Sequence, residues 1–159
     1  MDEGKHFRNV LGNFPTGVTV VTAVDDGEPA GLAIGSFTSV SLDPPLVAFC
    51  PDKRSSSWPH IEAAGAFCVN ILAEDQVDVC NAFAGKSDDK FGEVTWDTTH
   101  LWSPRIQDSL AWIDCSIEAV HDGGDHFIVV GRVAELAVER ADSGPLLFFR
   151  GGYGLFGDL

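Results

Sequence analysis

Positive charge is scarce in this chain. Of 159 residues, ten are Lys or Arg and twenty-four are Asp or Glu, leaving a formal charge of −14. A nucleic-acid binder needs a basic footprint to neutralise phosphates, so this composition excludes that class. It also disfavours docking on an anionic membrane leaflet. No apolar run approaches the roughly 18–20 residues of a membrane span. The opening Met1-Asp2-Glu3-Gly4-Lys5-His6 lacks a basic region followed by an apolar stretch, so no secretory signal is expected. None of Cys50, Cys68, Cys80 and Cys115 forms a CxxC pair, which disfavours a zinc or thioredoxin-like site. Cys50, Cys68 and Cys115 lie in apolar runs, where thiols pack as small core residues. The histidines are scattered, with none at the i, i+4 spacing of a helical zinc pair, and no metal is expected. GxGxxG is missing, and strands and helices do not alternate, which excludes a doubly wound nucleotide fold. No Ser/His/Asp triad or paired-carboxylate motif emerges. With 45% hydrophobic and 21% charged residues, the expectation is one globular, cytoplasmic domain with reduced thiols.

What is present is mostly strand. Phe7, Val10, Leu11 and Phe14 stand at helical spacing over about His6 to Asn13, and Pro15 ends that helix. The β-branched run 16–24 reads as a strand, and Asp25-Asp26-Gly27 as a hairpin turn. A return strand over 29–37 is rich in small residues, and 39–42 continues extended. Residues 46–50 and 66–72 read as strands. Ser55 to Ser57 can cap a helix over 58–64, with Pro59 in its first turn. A further helix is expected over 75–83. Residues 85–110 read as loop-rich. Two long strands, 111–120 and 127–138, flank His121-Asp122-Gly123-Gly124-Asp125-His126, and 145–150 is a last strand. Many strands with few short helices indicate an antiparallel barrel.

Four segments could carry chemistry, each with a bland alternative. Glycine inside a strand, as at Gly31 and Gly35, marks either close approach of a ligand or a barrel corner. Lys53-Arg54-Ser55-Ser56-Ser57 at a helix start is either an anion site or a plain serine cap. Asp125 and His126 after a Gly-Gly turn lie either at a barrel mouth or on ordinary surface. Arg150-Gly151-Gly152-Tyr153 is either a cation-bearing loop beside a ligand or a chain leaving its strand.

In order, these segments resemble the short-chain flavin reductases of the FMN-binding split-barrel superfamily. The likeness runs through Phe14-Pro15-Thr16-Gly17-Val18-Thr19-Val20-Val21-Thr22, the stretch from Gly31 to Phe37, and 39–47. It continues through Phe67-Cys68-Val69-Asn70-Ile71-Leu72, Asp89-Lys90-Phe91, Gly124-Asp125-His126 and Pro145-Leu146-Leu147-Phe148. Cys50-Pro51, Ser57-Trp58 and 120–127 are most similar to reductase components of two-component aromatic hydroxylases. The resemblance implies a mainly β, six-stranded antiparallel split barrel with a few short helices, as one domain over 1–159 and in a homodimer. It implies FMN or FAD along Pro29, Ala30, Gly31, Leu32, Ala33, Gly35 and Ser36. Cys50, Pro51 and Asp52 would lie near the ribityl chain, Ser56 and Ser57 at phosphate, and Phe83 at the pocket wall. It further implies NADH, or NADPH, at Asp125, His126, Arg150, Gly151, Gly152 and Tyr153, with His126 orienting the nicotinamide for hydride transfer. The implied partner is a separate flavin-dependent monooxygenase that receives reduced flavin. A flavin-binding electron carrier and a pyridoxamine-phosphate-oxidase-like flavoprotein are the alternatives. Trp102, Leu110 and Trp112 are the apolar residues expected at a subunit seam.

Overall fold

A computed structural model of the chain describes residues 2–159. Helix α1 (Glu3–Leu11) starts earlier than the apolar spacing predicts, because Asp2 caps it by accepting a 3.0 Å bond from the Gly4 amide. None of its residues is buried. The expected strand over 16–24 is two. Strand β1 (Thr16–Gly17) pairs with β11 (Leu146–Phe149), whereas β2 (Thr19–Asp25) pairs with β3 (Glu28–Ile34) and β6 (Ala66–Ile71). Strands β4 (Thr38–Leu42) and β5 (Pro45–Phe49) form a hairpin. Helices α2 (Trp58–Ala64) and α3 (Val77–Ala84) fall where the sequence places them. The loop-rich stretch holds a small hairpin, β7 (Trp96–Thr98) with β8 (Pro104–Ile106). Strands β9 (Ala111–Gly123) and β10 (His126–Val138) form the long central hairpin. Strand β12 (Gly152–Leu155) was not expected. It pairs with β11 across a turn in which Arg150 and Gly151 take left-handed φ of 50° and 78°.

The main sheet has seven antiparallel strands in the order β3-β2-β6-β9-β10-β5-β4, not six. The difference lies in the small-residue segment. Residues 35–37 turn the chain, and its two halves, β3 and β4, become the opposite edges of the sheet. Those edges are consecutive in sequence yet unpaired with each other. The sheet wraps one core all the same. Leu32 and Ile34 of β3 share a buried cluster with Val47 and Phe49 of β5, and Trp58 and Ile61 of α2 join it. Curling brings both ends of the sheet to one core while leaving a gap between its edges, which is the split-barrel form.

On the other face, Val18, Val20, Leu72, Cys80, Phe83, Ile106 and Leu146 form a second buried cluster under α3. A buried polar relay locks β8 onto that face. Asn70 Nδ2 donates to the Val20 carbonyl at 3.0 Å, while Asn70 Oδ1 accepts from the Ile106 amide at 2.8 Å. Thr22 Oγ1 donates to the Pro104 carbonyl at 2.6 Å. Each buried group is satisfied, so the relay costs little and fixes the position of the hairpin.

Trp112 does not belong at an outer seam. It is buried, its Nε1 donates to Glu139 at 2.7 Å, and the Arg105 guanidinium lies 4.9 Å from its ring. Leu110 is half-buried and Trp102 is exposed. The larger exposed apolar set is elsewhere, on α1 (Phe7, Val10, Leu11), at Phe14, and on the neighbouring hairpin (Phe148, Phe149, Leu155).

Candidate functional site

Because β3 is an edge strand, its outer peptide groups are not used by the sheet. Two hollows lie along it. One, of about 570 Å3, is lined by Leu32, Ala33, Asp52, Arg54, Ser55, Ser56, Phe83, Lys86 and Lys90 among others. The other, of about 180 Å3, is lined by Pro29, Ala30, Gly31, Ser56, Ser57 and Lys90 together with neighbouring residues. Ser56 and Lys90 border both. Gly35 and Ser36 border a third hollow of about 480 Å3 with residues 14–19. The structure thus gathers the small-residue strand, the serine segment and Phe83 around one edge.

Gly31 has a local reason to be glycine. A Cβ there would stand 2.8 Å from the Phe83 ring and 3.2 Å from the Val21 carbonyl. The ring therefore fills the space that a side chain would take, and Phe83 is itself buried. Neither of the two readings of this glycine anticipated α3 as the neighbour.

The three serines differ in work. Ser55, not Ser57, caps α2, its Oγ accepting from the Ser57 and Trp58 amides at 3.2 Å each. Ser57 is buried, and its Oγ accepts from Lys90 Nζ at 3.3 Å. Ser56 faces both hollows.

Lys90 is the residue that sequence reasoning left out of the site, although it stands inside the Asp89-Lys90-Phe91 motif. Its Nζ donates to the Gly31 carbonyl at 3.2 Å, the Phe83 carbonyl at 3.1 Å and Ser57 Oγ. All three acceptors are uncharged. Burial holds its pKa below the ordinary lysine value. An ammonium held this way ties β3, the residue that precedes α2, and α3 together, with no carboxylate among its hydrogen-bond partners at the junction of two hollows. The signal in the sequence was one lysine in a chain with few, and only the fold shows where it reaches.

Cys50 and Ser36 are tied to each other. The Cys50 amide donates to Ser36 Oγ at 2.9 Å, and that hydroxyl donates to the Cys50 carbonyl at 3.3 Å. The following residues are stitched to the β9–β10 turn. Phe127 N donates to the Pro51 carbonyl at 3.0 Å, Lys53 N donates to the Asp125 carbonyl at 2.9 Å, and Asp52 forms a β-bridge with His126. Asp52, Asp125 and His126 are therefore neighbours. The Arg54 side chain and amide both bond the Asp52 carboxylate and hold its pKa down at about 2. His126 Nδ1 lies 2.7 Å from Asp125 Oδ1. A carboxylate only accepts, so Nδ1 carries the proton in this bond and Nε2 is the free ring nitrogen.

Arg150 to Tyr153 lie elsewhere in the chain. The Arg150 amide donates to the Gly12 carbonyl at 3.0 Å, and its Nε donates to Asn13 Oδ1 at 2.9 Å. The Tyr153 hydroxyl bonds Cys80 Sγ at 3.3 Å and Asn81 at 3.4 Å, and the thiol contact with partial burial pushes its pKa up to about 12. These bonds hold the turn against α1 and α3. None of them joins it to His126.

Comparison with known proteins follows the same outline. Residues 11–156 match the flavin reductase like domain family. A flavin reductase of Pseudomonas putida is 57% identical over 94% of this chain and 88% of its own. The flavin-dependent monooxygenase reductase subunit HsaB of Rhodococcus jostii is 53% identical over 94% of this chain and 76% of its own. Among solved structures, nitrilotriacetate monooxygenase component B from Mycobacterium thermoresistibile superposes with a TM-score of 0.95. It is 51% identical, covering 98% of this chain and 87% of the other. The NADH:FAD oxidoreductase SgcE6 of Streptomyces globisporus, solved with NAD and FAD fragments, superposes with a TM-score of 0.92. It is 36% identical, covering 98% and 93%.

Proposed function

Since the chain belongs to the flavin reductase like family, we propose that it is an NADH-dependent flavin reductase whose site runs along the outer edge of β3. The observation that carries the placement is Lys90, a half-buried ammonium with only neutral partners at the junction of two hollows. It fits a flavin phosphate, which would supply the missing negative charge. Ser56 and Ser57 add hydroxyls beside it. The outward peptide groups of β3 between Pro29 and Ala33 that neither β2 nor Lys90 uses, with Gly35 and Ser36 beyond, offer hydrogen bonds to the polar rim of an isoalloxazine. On this reading Cys50, Pro51 and Asp52 lie near the ribityl chain, and Asp52 lines the larger hollow. The chemistry supplied when flavin is bound is two-electron transfer from nicotinamide, and it needs no strong acid or base from the protein. The protein's work is to hold two rings at reacting distance and to exclude water. On this reading His126, bonded through Nδ1 to Asp125, orients a nicotinamide nucleotide with its free Nε2.

HsaB is named as the reductase subunit of a flavin-dependent monooxygenase, and the Mycobacterium thermoresistibile protein as a monooxygenase component, which supports a separate monooxygenase as the receiver of reduced flavin here. The exposed apolar surface of α1 and the β11–β12 hairpin supports a homodimer. In that assembly Arg150 to Tyr153 belong to the nucleotide end of the site. Four unpaired thiols agree with a cytoplasmic location. The test is oxidation of NADH by the purified protein with FMN or FAD added, followed by the nicotinamide absorbance. Flavin-dependent turnover is expected. A folded protein that neither binds flavin nor oxidises NADH overturns the reading.

A further inference from the structure

Helix α3 supports the flavin edge, yet little within the helix holds it in place. It has eight residues, Gln76 at its start makes no capping bond, and Gly85 leaves its end in extended backbone. A helix this short is marginal alone, so bonds from other elements decide where it sits. Gln76 supplies one anchor, its side chain accepting from the Ala73 amide at 2.9 Å and donating to the Gln107 carbonyl at 3.0 Å. A second anchor comes from the far end of the chain. Tyr153 Oη lies 3.3 Å from Cys80 Sγ and 3.4 Å from Asn81 Oδ1. The amide oxygen only accepts, so the hydroxyl gives Asn81 its one hydrogen and accepts from the Cys80 thiol. Phe148, opposite Tyr153 in the β11–β12 register, meets its ring edge-on with centroids 5.5 Å apart. Strand β12 buries none of its four residues, so core packing does not explain its place. What it delivers to the body of the protein is this hydroxyl.

Cys80 and Asn81 stand less than one turn before Phe83. The Phe83 carbonyl accepts from Lys90 Nζ at 3.1 Å, and its ring backs Gly31, whose carbonyl accepts from the same ammonium at 3.2 Å. Two of the three Lys90 acceptors therefore depend on where α3 lies. Building on the flavin reductase reading, we infer that Tyr153 is a positioning residue for the flavin phosphate: its hydroxyl pins α3, and α3 sets the place of Lys90. The hydroxyl acts through the helix and not by touching flavin. This use is separate from the contact of the Arg150 turn with a nucleotide.

The test is a double-mutant cycle. FMN and riboflavin are titrated into the wild type, Tyr153→Phe, Lys90→Met and the double variant. No nucleotide is added, so a contact between Tyr153 and NADH cannot register. Tyr153→Phe keeps the ring against Phe148 and removes the hydroxyl alone. FMN should then bind about threefold to tenfold more weakly, near the effect of one lost neutral hydrogen bond. Riboflavin, without a phosphate, should change by no more than about twofold, and its binding also reports that each variant is folded. In the Lys90→Met background the same substitution should leave FMN affinity within about twofold, because the group it positions is gone. An FMN affinity unmoved by Tyr153→Phe overturns the inference. So does an equal loss for riboflavin, or the same FMN loss with and without Lys90, since either means that the hydroxyl supports the fold and not the ammonium. In those cases the flavin reductase reading stands. Undiminished FMN binding by Lys90→Met overturns the placement of phosphate at Lys90, and this inference with it.

Discussion

Three neutral oxygens surround Lys90 Nζ, two of them main-chain carbonyls from different elements. Replacing the ammonium by the methyl of Lys90→Met keeps the stem and removes the charge. Loss of a charged hydrogen bond is worth roughly 1.5–3 kcal/mol, so FMN and FAD should bind about tenfold or more weakly. Riboflavin, which has no phosphate, should bind nearly as before, and fluorescence titration of all three separates charge from packing. The pH dependence has a definite sign. Burial lowers the pKa of Lys90 in the fold, so the ammonium that meets phosphate is lost as pH rises through that lowered value. FMN affinity should fall there, at lower pH than an exposed lysine would dictate, with riboflavin affinity unchanged. The ligand-free protein should show the opposite trend. Across the interval between the folded and the ordinary lysine pKa its unfolded chain binds more protons, so stability rises with pH, as a urea midpoint series would reveal. His126 makes a separate residue-scale prediction. Removing the imidazole by His126→Ala should raise KM for NADH and leave flavin affinity nearly intact. A reporter of turn stability alone would lower the melting temperature without moving either kinetic constant.

Among the elements, α3 turns out to support the site through Phe83. The Phe83 ring occupies the place of a Cβ at Gly31, and the Phe83 carbonyl accepts from Lys90. Gly31→Ala must therefore push the ring or bend β3, at a cost of about 1–3 kcal/mol typical of overpacking. Because the same displacement disturbs Lys90, the variant should lose both melting temperature and flavin affinity, measured by thermal melting and flavin titration on one preparation. Stability loss with unchanged flavin affinity would show that β3 and Lys90 move independently. Helix α2 contributes differently. Its cap by Ser55 frees Ser57 Oγ for Lys90, a division of labour among three adjacent serines that composition cannot reveal.

For the molecule as a whole, an amphipathic α1 with no buried residue is the main unsatisfied feature. Phe7, Val10 and Leu11, with Phe14, adjoin Phe149 and Arg150 across the bonds that tie Gly12 and Asn13 to Arg150. A second copy covering this surface would remove a contiguous apolar patch from water. Light scattering should return about twice the 17.0 kDa chain mass. The double substitution of Phe7 and Leu11 by Glu should return the single-chain mass, since two charges would face the seam. An unaltered dimer in that variant would move the interface away from α1, toward the exposed Leu136 and Val138 or the β4 edge.

Local order determined most of what the sequence made legible. The strand expected over 16–24, the long pair over 111–120 and 127–138, and the helices over 58–64 and 75–83 follow from residue type and short-range spacing, and the structure shifts several of their ends by one to three residues. The motifs that resemble flavin reductases were legible in the same way, and that resemblance, not spacing, implied β3, Ser56, Ser57 and Phe83 as parts of one site. What the tertiary structure decided was long-range. Residues 38–42 look like a continuation of the preceding strand, and only pairing with β5 makes them the opposite edge of the sheet. Residues 152–155 carry two glycines and no strand pattern, and β11 makes them a strand by offering an unpaired edge. Trp112 is as apolar as an interface residue, and burial against Arg105 and Glu139 removes it from the surface. Lys90 is one cation among ten, and its significance comes from three acceptors contributed by β3, the residue that precedes α2, and α3. Spacing along a chain reports which way neighbouring side chains point. A half-buried charge is defined by which distant oxygens surround it, and that is set only when the sheet has closed around its core.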